Sequence, residues 1–413
     1  MKKALLATFV GLALLVSCDG NKSSSPPVEV VPIMIASPDN GATLFDSQYI
    51  VAVVGSGYSF VEIEFYIDNQ LVVTDSTYPY QYSWNIFVYD PDIIHPIYAV
   101  GVTAEDSTYM SDVVLVTIDF AQGFSIAGSY QPGSQNAVGV VNYYNVLFVS
   151  LGDAGLEMLD VRDKVNPAFL ARYDTPGQAL HADVLFPNVF IADRSQGVTA
   201  ADFSDVDSIM FSDAFSTQSF SNDVAVSEHF LFIAENDGLS IVEFDTDNQF
   251  NFLGRLGLPQ DILNYVVARH DTAFVAGNNA FYIIDCTLPG APDLLGRYNS
   301  VNQAQAVAVA DTFAFIAYGS GGLLALSIAE PTSPVPLAAF TSGENMVAVD
   351  AGDGMLFAGA NNGSVYALSY STPGLLNQLD QITAANLLEE IDYDSNYLYV
   401  AAHTNVDILR FVR

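Results

Sequence analysis

The sequence predicts an all-β chain, a small N-terminal β-sandwich followed by a seven-bladed β-propeller that an early strand closes in the last blade. Three observations carry this expectation. A seven-fold repeat of about 42 residues fills the C-terminal part of the chain. The segment ahead of it alternates apolar and polar residues with a period of two, and the 3.6-residue periodicity that helical repeats need is missing.

Each repeat holds an apolar–aromatic strand followed by small or acidic residues, as in Phe190-Ile191-Ala192 and Phe315-Ile316-Ala317. The aromatic anchors Phe148, Phe190, Phe232, Phe274, Phe315, Phe357 and Tyr399 are spaced by 42, 42, 42, 41, 42 and 42 residues. Eight residues before each anchor stands a small or β-branched residue (Val140, Ala182, Val224, Val266, Val307, Val349 or Ile391), as packing near a crowded axis requires. Most repeats place a turn glycine six or seven residues after the anchor, at Gly155, Gly197, Gly238, Gly322 and Gly363. A third strand follows, such as Gly238 to Phe244, then a fourth, such as Leu253 to Leu256 or Leu294 to Tyr298. Four strands in about 42 residues is the size of one propeller blade.

The ends of the repeat array predict its closure. The seventh repeat stops at Arg413 after three strands, and Phe124 to Tyr130 carries the fourth-strand pattern, with Tyr130 lying 43 residues before Tyr173. That strand is expected to complete the last blade and remove its exposed edge. The stretches GLEMLDVRDKVNPAFLARYDTPG (Gly155 to Gly177) and FYIIDCTLPGAPDLLGRY (Phe281 to Tyr298) resemble the LVIVD-repeat propellers of bacterial and archaeal surface proteins. The second and sixth repeats depart from it, lacking the proline pair of that linker. The resemblance implies a fold and an extracytoplasmic setting and no particular chemistry.

Residues 30–120 read as short strands separated by turn residues. Val61 to Ile67 alternates as a strand with one wet face should, and Asp68-Asn69 forms a tight hairpin into Leu71-Val72-Val73. The SPDNGATL opening (Ser37 to Leu44) and VEIEFYIDNQLVVTDSTYPYQYSW (Val61 to Trp84) resemble the immunoglobulin-like modules of bacterial surface proteins, which implies a spacer or an accessory binding domain. Trp84, the only tryptophan, shares strand parity with Tyr82 and is expected in the core.

The first 17 residues read as a lipoprotein signal peptide. Lys2-Lys3 precede an apolar run, Ala4 to Val16, too short to span a bilayer. It ends in Leu15-Val16-Ser17-Cys18, which resembles the bacterial lipobox and implies lipidation of Cys18. Residues 18–29, with the stretch NKSSSPP (Asn21 to Pro27), form a flexible tether. The expected setting is the bacterial cell envelope, with the chain held to the membrane by its lipid and lying at the outer membrane or cell surface rather than the inner membrane.

Composition narrows the partners. The chain carries 47 acids against 12 bases, a net charge of −35. A field of that sign repels nucleic acid and anionic headgroups, so neither is a partner of the folded domains. Lysine occurs only at Lys2, Lys3, Lys22 and Lys164, and such a surface suits a salty medium whose counterions screen self-repulsion. With Cys18 lipidated, Cys286 is the only other cysteine, no internal disulfide can form, and Cys286 reads as a packed thiol at a strand end.

Catalytic motifs do not emerge. There is no G-x-S-x-G, and His95, His181, His229, His270 and His403 lack metal-ligand spacing. Glu389 and Glu390 are strand neighbours and point to opposite sides, so they cannot act together as acid and base. Asp392, Asp394 and Asn396 alternate like a calcium loop but lack its Gly and distal Glu, which leaves a weak Ca2+ candidate. The candidate ligand site is a polar ring at the channel mouth, formed where the innermost strands begin: His181, Asp183, Asn222, Asp223, Asn264, Tyr265, Gln305, Glu389 and Glu390. The expectation is a monomeric, non-catalytic binding or scaffolding lipoprotein with no cofactor, taking a glycan or protein ligand at the propeller face. The alternative is a calcium-assisted hydrolase or lyase using the channel-mouth carboxylates.

Overall fold

Strands that alternate apolar and polar residues must bury one face, and residues 31–118 do so in a two-sheet arrangement. The computed structural model describes residues 31–44, 48–84, 86, 89, 93–118, 123–205, 208–299, 302–372, 375–384 and 387–412. The signal segment 1–17, Cys18 and the tether to residue 29 lie outside the described residues. The chain divides into two compact units, 1–120 and 121–413.

In the first unit, Ile33–Ser37, Gln48–Val54 and Gln81–Trp84 make one sheet. The other contains Thr43–Leu44, Val114–Ile118, Ile94–Val102, Glu62–Ile67 and Gln70–Asp75, with Thr108–Met110 paired to Ile94–Val102. Ile50, Ile63, Phe65, Trp84 and Ile97 are buried between them, as the alternation and the parity of Trp84 require. The hairpin at Asp68 and Asn69 places both residues in the left-handed region, at φ 52° and 63°. A two-residue turn of the I′ type needs that conformation, and Asp and Asn tolerate it. His95 is buried with Nδ1 2.8 Å from Asp68 Oδ2, so its position is accounted for by the hairpin it supports.

The second unit is β-propeller-like. Its described residues form seven four-stranded antiparallel sheets, one for each repeat. The innermost strands are Gly139–Tyr143, Ala182–Leu185, Ser221–Ser227, Leu263–Arg269, Ala306–Ala310, Met346–Gly352 and Glu390–Asp394. Each touches the innermost strand of the next sheet, and the last touches the first. Every aromatic anchor is buried, from Phe148 to Tyr399, because the second strand of each sheet is covered on both faces by its neighbours. Cys286 is buried too, and burial pushes its thiol up to about 12.

In the sheet of the seventh repeat, Gly123–Tyr130 pairs antiparallel with Asn405–Val412, with Ile126 opposite Leu409 and Tyr130 opposite Val406. The same irregularity recurs in this strand and in the outer strands of the other sheets. In all seven sheets the outer strand carries one extra, unpaired residue against the third strand: Ala127, Leu170, Ser212, Leu253, Leu295, Leu337 or Leu379. Such a bulge increases local twist, so each sheet bends at the same depth. In three sheets the next residue is a glycine whose missing side chain makes room for the neighbouring repeat. A Cβ at Gly128, Gly254 or Gly296 would overlap the backbone carbonyl of Lys164, Pro289 or Pro331, each in the linker before the next sheet's outer strand.

Gly296→Ala is therefore expected to force two sheets apart and lower stability by about 1–3 kcal/mol. Gly290→Ala, whose added methyl would have its nearest neighbour 3.6 Å away at Leu253 O, should be tolerated. Urea unfolding of both variants checks this, and equal midpoints would contradict the close approach.

Candidate ligand-binding face and channel

Where the innermost strands converge, a side chain ten, nine or seven residues before the anchor points toward its counterparts in other sheets. Seven of the nine candidate residues meet there: His181, Asn222, Asn264, Tyr265, Gln305, Glu389 and Glu390 line one cavity of about 210 Å3, together with Arg194. Asp183 and Asp223 lie deeper, on a second cavity of about 280 Å3 that also receives Asp350 and Asp392. Tyr265 and Glu390 line both and separate the two. Tyr265 donates its hydroxyl to Glu390 Oε1 at 3.2 Å, and His181 Nδ1 lies 2.9 Å from that oxygen. The His181 ring meets Tyr265 edge-on at 5.6 Å.

The deep carboxylates have a common task. Asp183 Oδ2 accepts the Val226 N–H at 2.7 Å, Asp223 Oδ2 accepts that of Val266 at 2.7 Å, and Asp350 Oδ2 accepts that of Tyr393 at 2.8 Å. In each case the donor lies 43 residues on, in the next sheet. Asp392 reaches the Asn142 N–H at 2.5 Å and Glu390 the Val140 N–H at 2.8 Å, joining the seventh repeat to the first. Between the fourth and fifth repeats the Arg269 guanidinium donates to the Val309 carbonyl instead.

Burial raises these acids. Asp183 is pushed up to about 6 and Asp223 to about 7 by loss of solvent, partly countered by their backbone hydrogen bonds and, for Asp223, by His181. Burial likewise raises Asp350 and Asp392. Burial disfavours charge on His181, but Glu390, with Asp223 and Glu389, outweighs it and lifts His181 to about 9.

Glu389 and Glu390 diverge as strand neighbours must. Glu389 is exposed and meets His403 Nε2 at 2.8 Å, whereas Glu390 is buried in the channel. Asp392 and Asp394 both turn to Asn142, one to its backbone N–H and the other to its side-chain amide at 3.0 Å. Among the described residues no group of three His, Cys, Asp or Glu is placed to hold a metal ion.

Beside the channel mouth runs a groove of about 870 Å3 that the repeat pattern does not announce. Its walls come from loops of the third to sixth repeats and carry Asn236, Gln260, Asn278, Asn279, Gln303 and Asn345. Gln305 lines both groove and mouth. Asn222 and Asn264 support it from below: each donates to the Asn 14 residues on, Asn236 or Asn278, at 2.9 Å, and to a carbonyl of the next repeat, Leu263 or Ala304, at 2.8 Å.

Residues 33–115 match the family described as bacterial Ig domain, and residues 220–244, 266–300 and 302–340 match the LVIVD repeat. No curated protein matches the sequence. Among solved structures, the WD40 β-propeller domain of Doa1 is 10% identical, with 70% of this chain and 97% of that one covered at a TM-score of 0.58. Saccharomyces cerevisiae Sqt1 is 8% identical over 71% of this chain and all of its own, with a TM-score of 0.55. The computationally designed Ika8 protein is 12% identical over 70% and 100%, with a TM-score of 0.53. At these identities the likeness is one of fold alone.

The raised acids fix the sign of the pH dependence. Asp183 and Asp223 hold their protons more tightly folded than at the ordinary 3.8, so their ionisation destabilises the fold above about 7 and is relieved as pH falls toward 4. His181 acts the same way: its contribution is complete below its ordinary 6.5 and lost as pH rises through about 9. The melting temperature should be higher at pH 5 than at pH 9. Asp223→Asn keeps an oxygen for Val266 but gives up the one that Val224 uses, so whatever it does to the melting temperature at a single pH, it should flatten the fall between pH 5 and pH 9. An unchanged slope in calorimetry would show that Asp223 is not the buried charge responsible.

Proposed function

We propose that this chain is a lipid-anchored protein of the bacterial cell envelope that binds a glycan or protein ligand without catalysis. In this reading the seven sheets are the blades of a propeller, closed by Gly123–Tyr130 as the outer strand of the last blade, and the Ig-like module is a spacer. The pairing of that strand with Asn405–Val412, its bulge at Ala127 and the contact between the first and last innermost strands support the closure. Lipidation at Cys18 rests on the sequence, through the lipobox-like Leu15 to Cys18 after an apolar run.

The observation that carries the binding reading is the groove, whose wall of side-chain amides opens beside the mouth and shares Gln305 with it. A concave site with several convergent hydrogen-bonding groups is where a ligand is held. The channel carboxylates favour binding over hydrolysis for a physical reason. Asp183, Asp223, Asp350, Asp392 and Glu390 each accept a backbone N–H of the adjacent sheet, so each has at least one oxygen committed to the fold.

The soluble form beginning at Asp19 is expected to bind members of an oligosaccharide or peptide array, and Asn278→Ala to weaken that binding about tenfold, the worth of one hydrogen bond to a ligand. Array screening followed by calorimetry measures it. Absence of binding on both arrays would overturn the reading. Cys18→Ser should move the full chain from the membrane fraction to the soluble one, and retention in the membrane would remove the anchor.

A further inference from the structure

The groove is chemically unlike the rest of the molecule. On a chain of net charge −35, its lining among the described residues includes no Lys or Arg and a single acid, Asp261. That acid is withdrawn from any ligand. It is buried, accepts the backbone N–H of Asn279 at 2.9 Å and the Tyr282 hydroxyl at 2.7 Å, and receives the Asn279 side-chain amide at 3.2 Å. What remains is a neutral surface of amides, which between them present donors and acceptors.

These amides are held in place. Asn236 and Asn278 each spend their oxygen on the Asn beneath, at 2.9 Å, which leaves the amide nitrogen for a ligand. Asn279 is fixed by the Gln260 carbonyl at 2.8 Å, and Gln305 donates to Gln303 at 3.1 Å. Amides fixed in this way lose little rotamer freedom on binding.

From this we infer that the groove binds a neutral, polyhydroxylated ligand, an uncharged oligosaccharide. The inference rests on the binding reading above and narrows it. Hydroxyl groups both donate and accept, so they match a wall whose amides do the same. Ile262, 41% exposed, and Pro259 supply apolar surface against which the C–H face of a sugar ring can lie. A charged glycan would meet no counter-charge in the groove and, if anionic, the repulsion of the whole chain. A peptide would want apolar pockets for its side chains or a free strand edge, and this groove is built from loop amides.

The experiment uses the soluble chain from Asp19 on arrays of neutral, uronic-acid-containing and sulfated oligosaccharides and of peptides, with calorimetry on the hits and on Asn278→Ala, Gln303→Ala and, as a control in the channel, Asp350→Asn. Neutral oligosaccharides should bind, with an affinity that high salt leaves unchanged. Asn278→Ala and Gln303→Ala should each weaken binding about tenfold and Asp350→Asn should not. Selective binding of peptides or charged glycans, lost in the groove variants, would overturn the neutral-sugar inference and leave the binding reading standing. Sugar binding indifferent to both groove variants would overturn the assignment of the groove. No binding on any array would overturn both.

Discussion

Seven sheets that approach one another at their innermost strands face a common difficulty. The strands lie side by side but belong to different sheets, so no continuous backbone ladder joins them, while their N–H groups are shielded from water and must be paired. The carboxylates supply the partner. In Asp183, Asp223 and Asp350 one oxygen takes the N–H of the following residue in the same strand, and the other takes an N–H of the next sheet. Aspartate suits this because its short stem holds two acceptor oxygens at a fixed separation near the backbone. The cost is burial of several acids in one channel, visible in their raised proton affinity. A neutral amide would supply one acceptor oxygen in place of two.

Farther from the axis the sheets are held by shape. The bulge at Ala127, Leu170, Ser212, Leu253, Leu295, Leu337 or Leu379 turns each outer strand at the same depth. Where a glycine follows, the linker of the neighbouring repeat comes within contact of the bare backbone. The buried anchors then fill the space between sheets. Packing of this kind holds together a second unit whose one cysteine, Cys286, is buried and unpaired by any disulfide.

Much of this was legible because repetition multiplies a weak signal. One Phe in an apolar strand says little, but seven anchors at a near-constant spacing identify the second strand of every sheet, and Phe124 to Tyr130 could be matched to the fourth. The bulge was hidden because its residues share no chemistry, Ala127 and Ser212 standing where five others are Leu, and because register is a property of pairing. Asp350 escaped for a different reason. Polar residues nine or ten before the anchor mark the mouth in most repeats, but the sixth has Val347 and Ala348 there, whereas Asp350, like Asp183 and Asp392, stands seven before. The same offset shows why Asp183 lies deeper than the mouth, while Asp223, nine before Phe232, reaches the deeper cavity from the position that holds Tyr265 and Glu390 in other repeats. The groove was invisible to the period altogether, since Gln260, Asn279, Gln303 and Asn345 come from loops in which repeats differ.

That difference separates scaffold from specificity. Side chains 14 residues apart meet at the mouth in three repeats, as Asn222 with Asn236, Asn264 with Asn278, and Glu389 with His403. The backbone geometry is shared, yet two pairs are neutral amides and the third is an acid with a histidine. A position that mattered only for folding would tolerate one solution in every repeat, as the anchors do. Here the chemistry changes from sheet to sheet, with amides gathered on the third to sixth repeats, where the groove lies, and charge on the seventh and second, at Glu389, His403 and Arg194. Repeats copy a fold, and it is where they stop copying one another that a set of similar sheets acquires local chemistry of its own.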